Sequence, residues 1–93
     1  MATFFFFGKY SSEATNSISA ARTAEAQNLV KRHGGEIKEI YTLLGQHDLV
    51  IIVELPGVPE AMKTSIDLGR VTGINFATAP ALTVKEFDTL MGR

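Results

Sequence analysis

Five unbroken aliphatic residues, Leu49 to Val53, set the tightest limit on how this chain folds. Turn-forming residues, Gly45-Gln46-His47-Asp48, precede the run, and Glu54 followed by Pro56-Gly57 closes it. It is far short of the roughly 18 apolar residues of a membrane span. With no polar alternation, it reads as a strand buried on both faces. Phe4 to Phe7 makes the same demand near the start. Successive side chains of a strand point to opposite sides, so consecutive rings load both faces. Both runs are therefore predicted to be central strands.

The remaining segments supply what such strands need. Ser11 to Gly34 is predicted helical, with Ser11 or Ser12 as cap and Glu13 favoured in the first turn by the helix dipole. Thr15-Asn16-Ser17 and Ser19 are poor helix residues and predict an early break or bend. Lys31, Arg32 and His33 complement the C-terminal dipole, and Gly34-Gly35 ends the helix. His33 reads as a helix-end cation or surface residue, and Arg22 as a solvated arginine beside the Ile18–Ala26 face. Glu36 to Leu44 is predicted to be an edge strand, with Ile37, Tyr41 and Leu43 on one face. Lys38, Ile40, Thr42 and Leu44 take the other. The turn at Gly45–Asp48 joins it to the aliphatic run as an antiparallel hairpin.

Gly57 to Thr72 is predicted to be a second helix, with Pro59 at its first position and Glu60 in its first turn. Its expected inward stripe is Ala61, Met62, Ser65, Ile66, Leu68 and Gly69. Ile74 to Ala81 follows as the last strand, with Ile74, Phe76 and Thr78 opposite Asn75, Ala77, Ala79 and Ala81. Thr83-Val84-Lys85-Glu86 matches a capping box. It opens a short helix with Val84, Phe87, Leu90 and Met91 on one stripe.

The order is strand, helix, strand, strand, helix, strand, plus a helical tail: an α+β, ferredoxin-like βαββαβ plan in one domain over residues 1–93. Right-handed crossovers put both main helices on one face of the four-stranded antiparallel-type sheet. The other face is left apolar and uncovered, and such a surface marks an interface or a ligand site. The expected partner is a second copy, as a homodimer or higher homo-oligomer. With 9 basic and 10 acidic side chains, the chain carries no electrostatic footprint for nucleic acid or an anionic membrane. The absence of cysteine removes disulfides, thiolate nucleophiles and sulfur-ligated metals. The start, MATFFFFGKY, lacks the basic region and apolar length of a signal peptide, so a cytoplasmic location is expected.

Several stretches together resemble the GYD domain family, named for a Gly-Tyr-Asp signature between its second and third strands. They are FFFFGKYSSE at the start, Ala21-Arg22, and Gly34-Gly35-Glu36-Ile37-Lys38. Leu44 to Val50, Glu54-Leu55-Pro56, and Leu82 to Phe87-Asp88 extend the resemblance over essentially the full chain. One departure stands in the signature itself: His47 occupies the place of the tyrosine. The family is similar in fold to the dimeric α+β barrel group, which includes cofactor-free monooxygenases, isomerases, haem enzymes and ligand-sensing modules. The resemblance implies a fold and an assembly more than an activity, because the family has no established general one.

The candidate catalytic residues are His47, whose imidazole titrates near neutrality, and its neighbour Asp48. The plainer reading of both is a turn, with Asp48 bonding backbone amides. Phe4, Phe6, Lys9, Arg22, Tyr41 and Glu54 are the candidate ligand-binding residues. The two central strands are expected to run parallel, which puts Lys9 and Glu54 at one end, either as a salt bridge or at a polar cavity mouth with Tyr41 and Arg22. The two histidines fall on separate elements, so neither a metal nor a cofactor is expected. The favoured function is a non-enzymatic oligomer, binding a small apolar or aromatic molecule between its sheets. The alternative is a cofactor-independent enzyme, monooxygenase- or isomerase-like, on a small aromatic or carbonyl compound. There His47 would be the general base, and Arg22 or Lys9 would hold an anionic oxygen.

Overall fold

The two apolar runs meet in the middle of the sheet. A computed structural model describes residues 1–12 and 19–92. The elements are β1 (Ala2–Tyr10), α1 (Ala20–Arg32), β2 (Glu36–Thr42), β3 (Leu49–Leu55), α2 (Val58–Thr72), β4 (Ile74–Ala81) and α3 (Val84–Leu90). The sheet order is β2-β3-β1-β4, and every neighbouring pair is antiparallel. This is the ferredoxin-like α+β architecture that the element order predicts. Among the described residues, no helix is long and apolar enough to cross a membrane.

The direction of β3 corrects one expectation. Ala2 lies opposite Leu55 and Gly8 opposite Leu49, so the central strands run antiparallel, not parallel. The connections require this: the helical crossover keeps β2 parallel to β1, and the tight β2–β3 hairpin then reverses the chain. Lys9 and Glu54 therefore sit at opposite ends of the sheet.

Alternation divides each central strand between two faces. Phe4 and Phe6 point to the helices with Leu49, Ile51, Val53 and Leu55, and all six are buried. Ala26, Leu29 and Val30 of α1, Ala61 and Leu68 of α2, and Ile74 of β4 complete this core. Each large side chain so buried contributes about 1.5–3 kcal/mol. Phe5, Phe7, Val50 and Ile52 take the opposite face, away from the core residues of α1 and α2.

β2 departs from strict alternation. Ile37 pairs with Val53 but Glu39 pairs with Ile52, so Lys38 is the extra residue of a bulge. Ile37 and Ile40 consequently both pack on the core, and Tyr41 falls on the open face opposite Val50. The strand stops at Thr42, whose partner Leu49 is the first residue of β3. The residues beyond it belong to the turn, and Leu44 is fully exposed.

The helices show where local signals held. Ser19 caps α1, its hydroxyl accepting from the Arg22 N–H at 3.1 Å. The expected cap at Ser11 or Ser12 with Glu13, and the break at Thr15-Asn16-Ser17, depend on residues 13–18, which lie outside the described residues. His33 ends the helix but is no simple surface cation: its Nε2 lies 2.9 Å from the Asp67 carboxylate of α2. In α2 the buried stripe is Ala61, Thr64, Leu68 and Thr72. Met62 and Ile66, expected inside, are more than half exposed. At about 100° per residue they lie roughly a third of a turn or more from the inward line. The two buried threonines satisfy their hydroxyls on the helix itself, Thr64 on the Glu60 carbonyl and Thr72 on that of Leu68, each at 2.6 Å.

At α3 the capping box forms as the sequence predicts. The Thr83 N–H and hydroxyl donate to Glu86 Oε1 at 3.0 and 2.9 Å, and the Glu86 N–H donates to the Thr83 hydroxyl at 3.0 Å. These bonds, the backbone one first, hold the Glu86 carboxyl below its ordinary value.

Two outcomes follow. A Cβ on Gly35 would clash with the Glu54 carbonyl oxygen and with Leu55 Cδ2. Gly35→Ala should therefore lower stability by about 1–3 kcal/mol in urea unfolding, with an unchanged slope. The second concerns pH. Because Glu86 has a lowered folded value, its capping contribution is present above the unfolded value and is lost as pH falls through the folded one. Amide exchange at Glu86, corrected for the intrinsic pH dependence, should lose protection across that acid range.

Candidate functional site

The chemistry-bearing residues gather where β1 ends, the β2–β3 turn closes and α1 begins. Asp48 holds this corner. Its N–H donates to the Gly8 carbonyl at 2.8 Å, and its carbonyl accepts the Leu43 N–H at 2.8 Å. Its carboxylate accepts the Tyr10 N–H at 2.9 Å. Lys9 Nζ approaches the same oxygen at 3.7 Å, but the lysine is largely exposed, so that pair adds little. Asp48 is thus the backbone-bonding turn residue of the plainer reading, and it fixes the direction in which Tyr10 leaves β1.

Tyr10 continues the parity of Phe4, Phe6 and Gly8 onto the helix side. Gly8 permits close packing there: a Cβ would meet Ile74 Cγ2 at 2.8 Å and the Phe76 ring at 3.0 Å. The Arg22 guanidinium carbon lies 5.6 Å from the Tyr10 ring centroid, a cation–π approach. Below this pair a small open cleft, with a volume of about 60 Å³, runs between the sheet and both main helices. Ala26, Ile40, Ile51, Leu68 and Phe76 contribute apolar walls, and Tyr10, Arg22 and Thr23 form the polar rim. Thr72 also lines it, but its hydroxyl donates to Leu68 and accepts the Ile74 N–H at 3.1 Å. The arrangement suits a small apolar body with one polar end.

The other side of the sheet is different. Phe5 and Phe7 lie with ring centroids 6.1 Å apart. Ile52 and Val50 flank them on β3, and Ala79 and Ala77 on β4. The His47 ring rests 5.1 Å from that of Phe7. Among the described residues, no acid or base hydrogen-bonds to its imidazole. His47 therefore extends the apolar surface at the position where the signature carries tyrosine.

The six candidate ligand residues do not converge. Phe4 and Phe6 belong to the core under the helices. Arg22 lies on the helix side, whereas Tyr41 is on the open side and about half exposed. Lys9 joins Asp48, while Glu54 lies at the far end, 3.9 Å from Lys38. The expected Lys9–Glu54 pair does not form. Sequence reasoning passed over Tyr10, although its parity with Phe6 and Gly8 was the available signal. It also could not separate Phe5 and Phe7 from their neighbours, because a run of identical rings carries no mark of which face each takes.

A family model described as the GYD domain matches residues 4–91. No curated protein sequence matches the chain. Among solved structures, the leucine response regulatory protein LrpA of Mycobacterium tuberculosis is similar, with a TM-score of 0.59 at 10% identity. The alignment covers 88% of this chain and 51% of that one, so this chain spans about half of that protein's length. At that identity the likeness is one of fold.

The two ligands of the corner should respond differently to removal. Asp48→Ala leaves the Tyr10 N–H without its acceptor and should cost about 1–3 kcal/mol, with faster exchange at the Tyr10 amide. Lys9→Ala should stay within about 0.5 kcal/mol of the parent in the same denaturation series.

Proposed function

The chain belongs to the GYD domain family, and from that premise we propose that it is a non-enzymatic, self-associating binding module. Two copies pack their open sheet faces together. Each copy holds a small aromatic or apolar molecule with an anionic oxygen in its helix-side cleft, with the polar end at Arg22 and Tyr10. The observation that carries the binding reading is the concave apolar cleft closing on that single cation–aromatic pair. The ligand is placed there and not between the sheets because the cleft combines apolar walls with the Arg22–Tyr10 pair at its rim. A cleft on the helix side offers walls from five elements.

Self-association is supported by the residues that the open face exposes. Phe5, Phe7 and Ile52, each partly exposed, form an apolar surface on the two central strands around the buried Val50, bordered by small alanines of β4. Such a surface, rimmed by Lys9, Glu39 and Glu54, has the character of a protein interface. The enzymatic alternative gains no support from the geometry. His47, its general base, lies against Phe7 on the open face, and the cleft is on the opposite side of the sheet.

Sedimentation should show a dimer at micromolar concentration, and Phe5→Glu or Ile52→Lys should convert it to monomer while leaving the far-ultraviolet circular dichroism unchanged. A predominantly monomeric parent would sink the pairing. For the cleft, benzoate and benzamide make a matched pair of probes in an amide chemical-shift titration. Benzoate should shift Ala26, Leu68 and Ile74 and bind more tightly than benzamide. Arg22→Gln should weaken benzoate by about tenfold or more, equivalent to about 1.4 kcal/mol. Shifts confined to Phe5, Phe7 and Ile52, or none at millimolar concentration, would remove the cleft from the account.

A further inference from the structure

Helix α3 is formed but is only sparsely packed against the other described elements of its own subunit. Its capping box is complete, yet none of its seven residues is buried. Val84 is 77% exposed, Phe87 50%, Leu90 67% and Met91 52%, with Leu82 just before the helix at 56%. A helix in water needs about 12–15 residues to be even marginally stable alone, and an N-cap contributes only about 1 kcal/mol. An apolar stripe on so short a helix therefore needs a surface to lie on. The outline of the molecule agrees: its Cα radius of gyration is 13.8 Å, with extents of 47 × 30 × 19 Å. A compact domain of this length is expected near about 12 Å.

We infer that α3 is an exchanged arm, and that Phe87, Leu90 and Met91 of one protomer lie on the open sheet face of a second copy. This rests on the face-to-face pairing proposed above and adds to it a contact that the sheets alone do not supply. Three observations lead to this occupant. The arm departs from Ala81, whose partner in the sheet is Thr3, so it starts at the rim of the uncovered face. The open face is also short of exposed area. Phe5, Phe7 and Ile52 are only partly exposed and Val50 is buried. A stable interface buries about 800 Å² on each partner. The large, half-exposed side chains of the arm provide what the strands lack. Finally, β4 presents only Ala77 and Ala79 beside the Phe7 and Phe5 rings, a low strip into which bulky side chains can seat.

The chain has no cysteine, so a single one can be placed on the polar side of the arm. Asp88→Cys carrying a nitroxide, unlabelled, is mixed with isotope-labelled parent protein at a concentration where sedimentation of the parent has been measured. Relaxation enhancement on the labelled partner at Ala77, Ala79, Phe5 and Phe7 supports the arm. A dimer in sedimentation without that enhancement overturns the arm and leaves the pairing standing. Enhancement centred on Met62 and Ile66 of the labelled partner also overturns it, because the arm would then seat on the outer stripe of α2. A monomer in sedimentation removes the pairing and the arm with it. As an independent arm of the test, the double substitution Phe87→Glu, Leu90→Glu should weaken dimerisation by at least about tenfold with the urea midpoint of the monomer unchanged. An unchanged dimer dissociation constant contradicts the inference.

Discussion

The antiparallel pairing of Phe4–Phe7 with Val50–Val53 is the constraint from which the rest of the structure follows. Both strands carry large apolar side chains on both sides, so a helix layer on one side satisfies only half of what they present. Phe4, Phe6, Ile51 and Val53 are buried by α1 and α2, and that layer is a complete core. Phe5, Phe7 and Ile52 remain partly exposed on the opposite face, around the buried Val50. The helix side supplies stability and a cleft. The open side is the surface on which the proposed association rests.

The turn between β2 and β3 connects these two sides. Asp48 bonds the end of β1 through its N–H and its carboxylate, and so aims Tyr10 toward Arg22 at the cleft mouth. His47, one residue earlier, points the other way and rests on Phe7. In this chain the signature is therefore an anchoring device, with a ring contact on one face and a backbone clamp on the other. A histidine in the tyrosine's place keeps an aromatic ring against Phe7. The acidic residue, which makes the main-chain bonds, is the one that this chain retains.

Much of the fold was legible because the signals were local and periodic. The two-faced runs marked the central strands, Gly34 and Gly73 marked helix ends, and Thr83 with Glu86 marked the start of α3. What was not legible depended on a third dimension. The bulge at Lys38 moves Ile40 to the core side and Tyr41 to the open side, and nothing in EIKEIYT distinguishes a bulge from regular alternation. Met62 and Ile66 are apolar but outward, since hydrophobicity alone does not fix which side of α2 meets the sheet. The candidate site suffered most. Assuming parallel central strands put Lys9 beside Glu54, and one reversal of direction separates them by the length of the sheet.

In the proposed assembly the open face is covered by another copy in solution. Isotope-filtered nuclear Overhauser spectra of a sample mixed from labelled and unlabelled chains test it most directly. Face-to-face pairing should give intermolecular cross-peaks linking the Phe5 and Phe7 rings to methyl groups of a second chain, with those rings shielded from a soluble paramagnetic agent. Rings that show only intramolecular contacts and are broadened by the agent would contradict it.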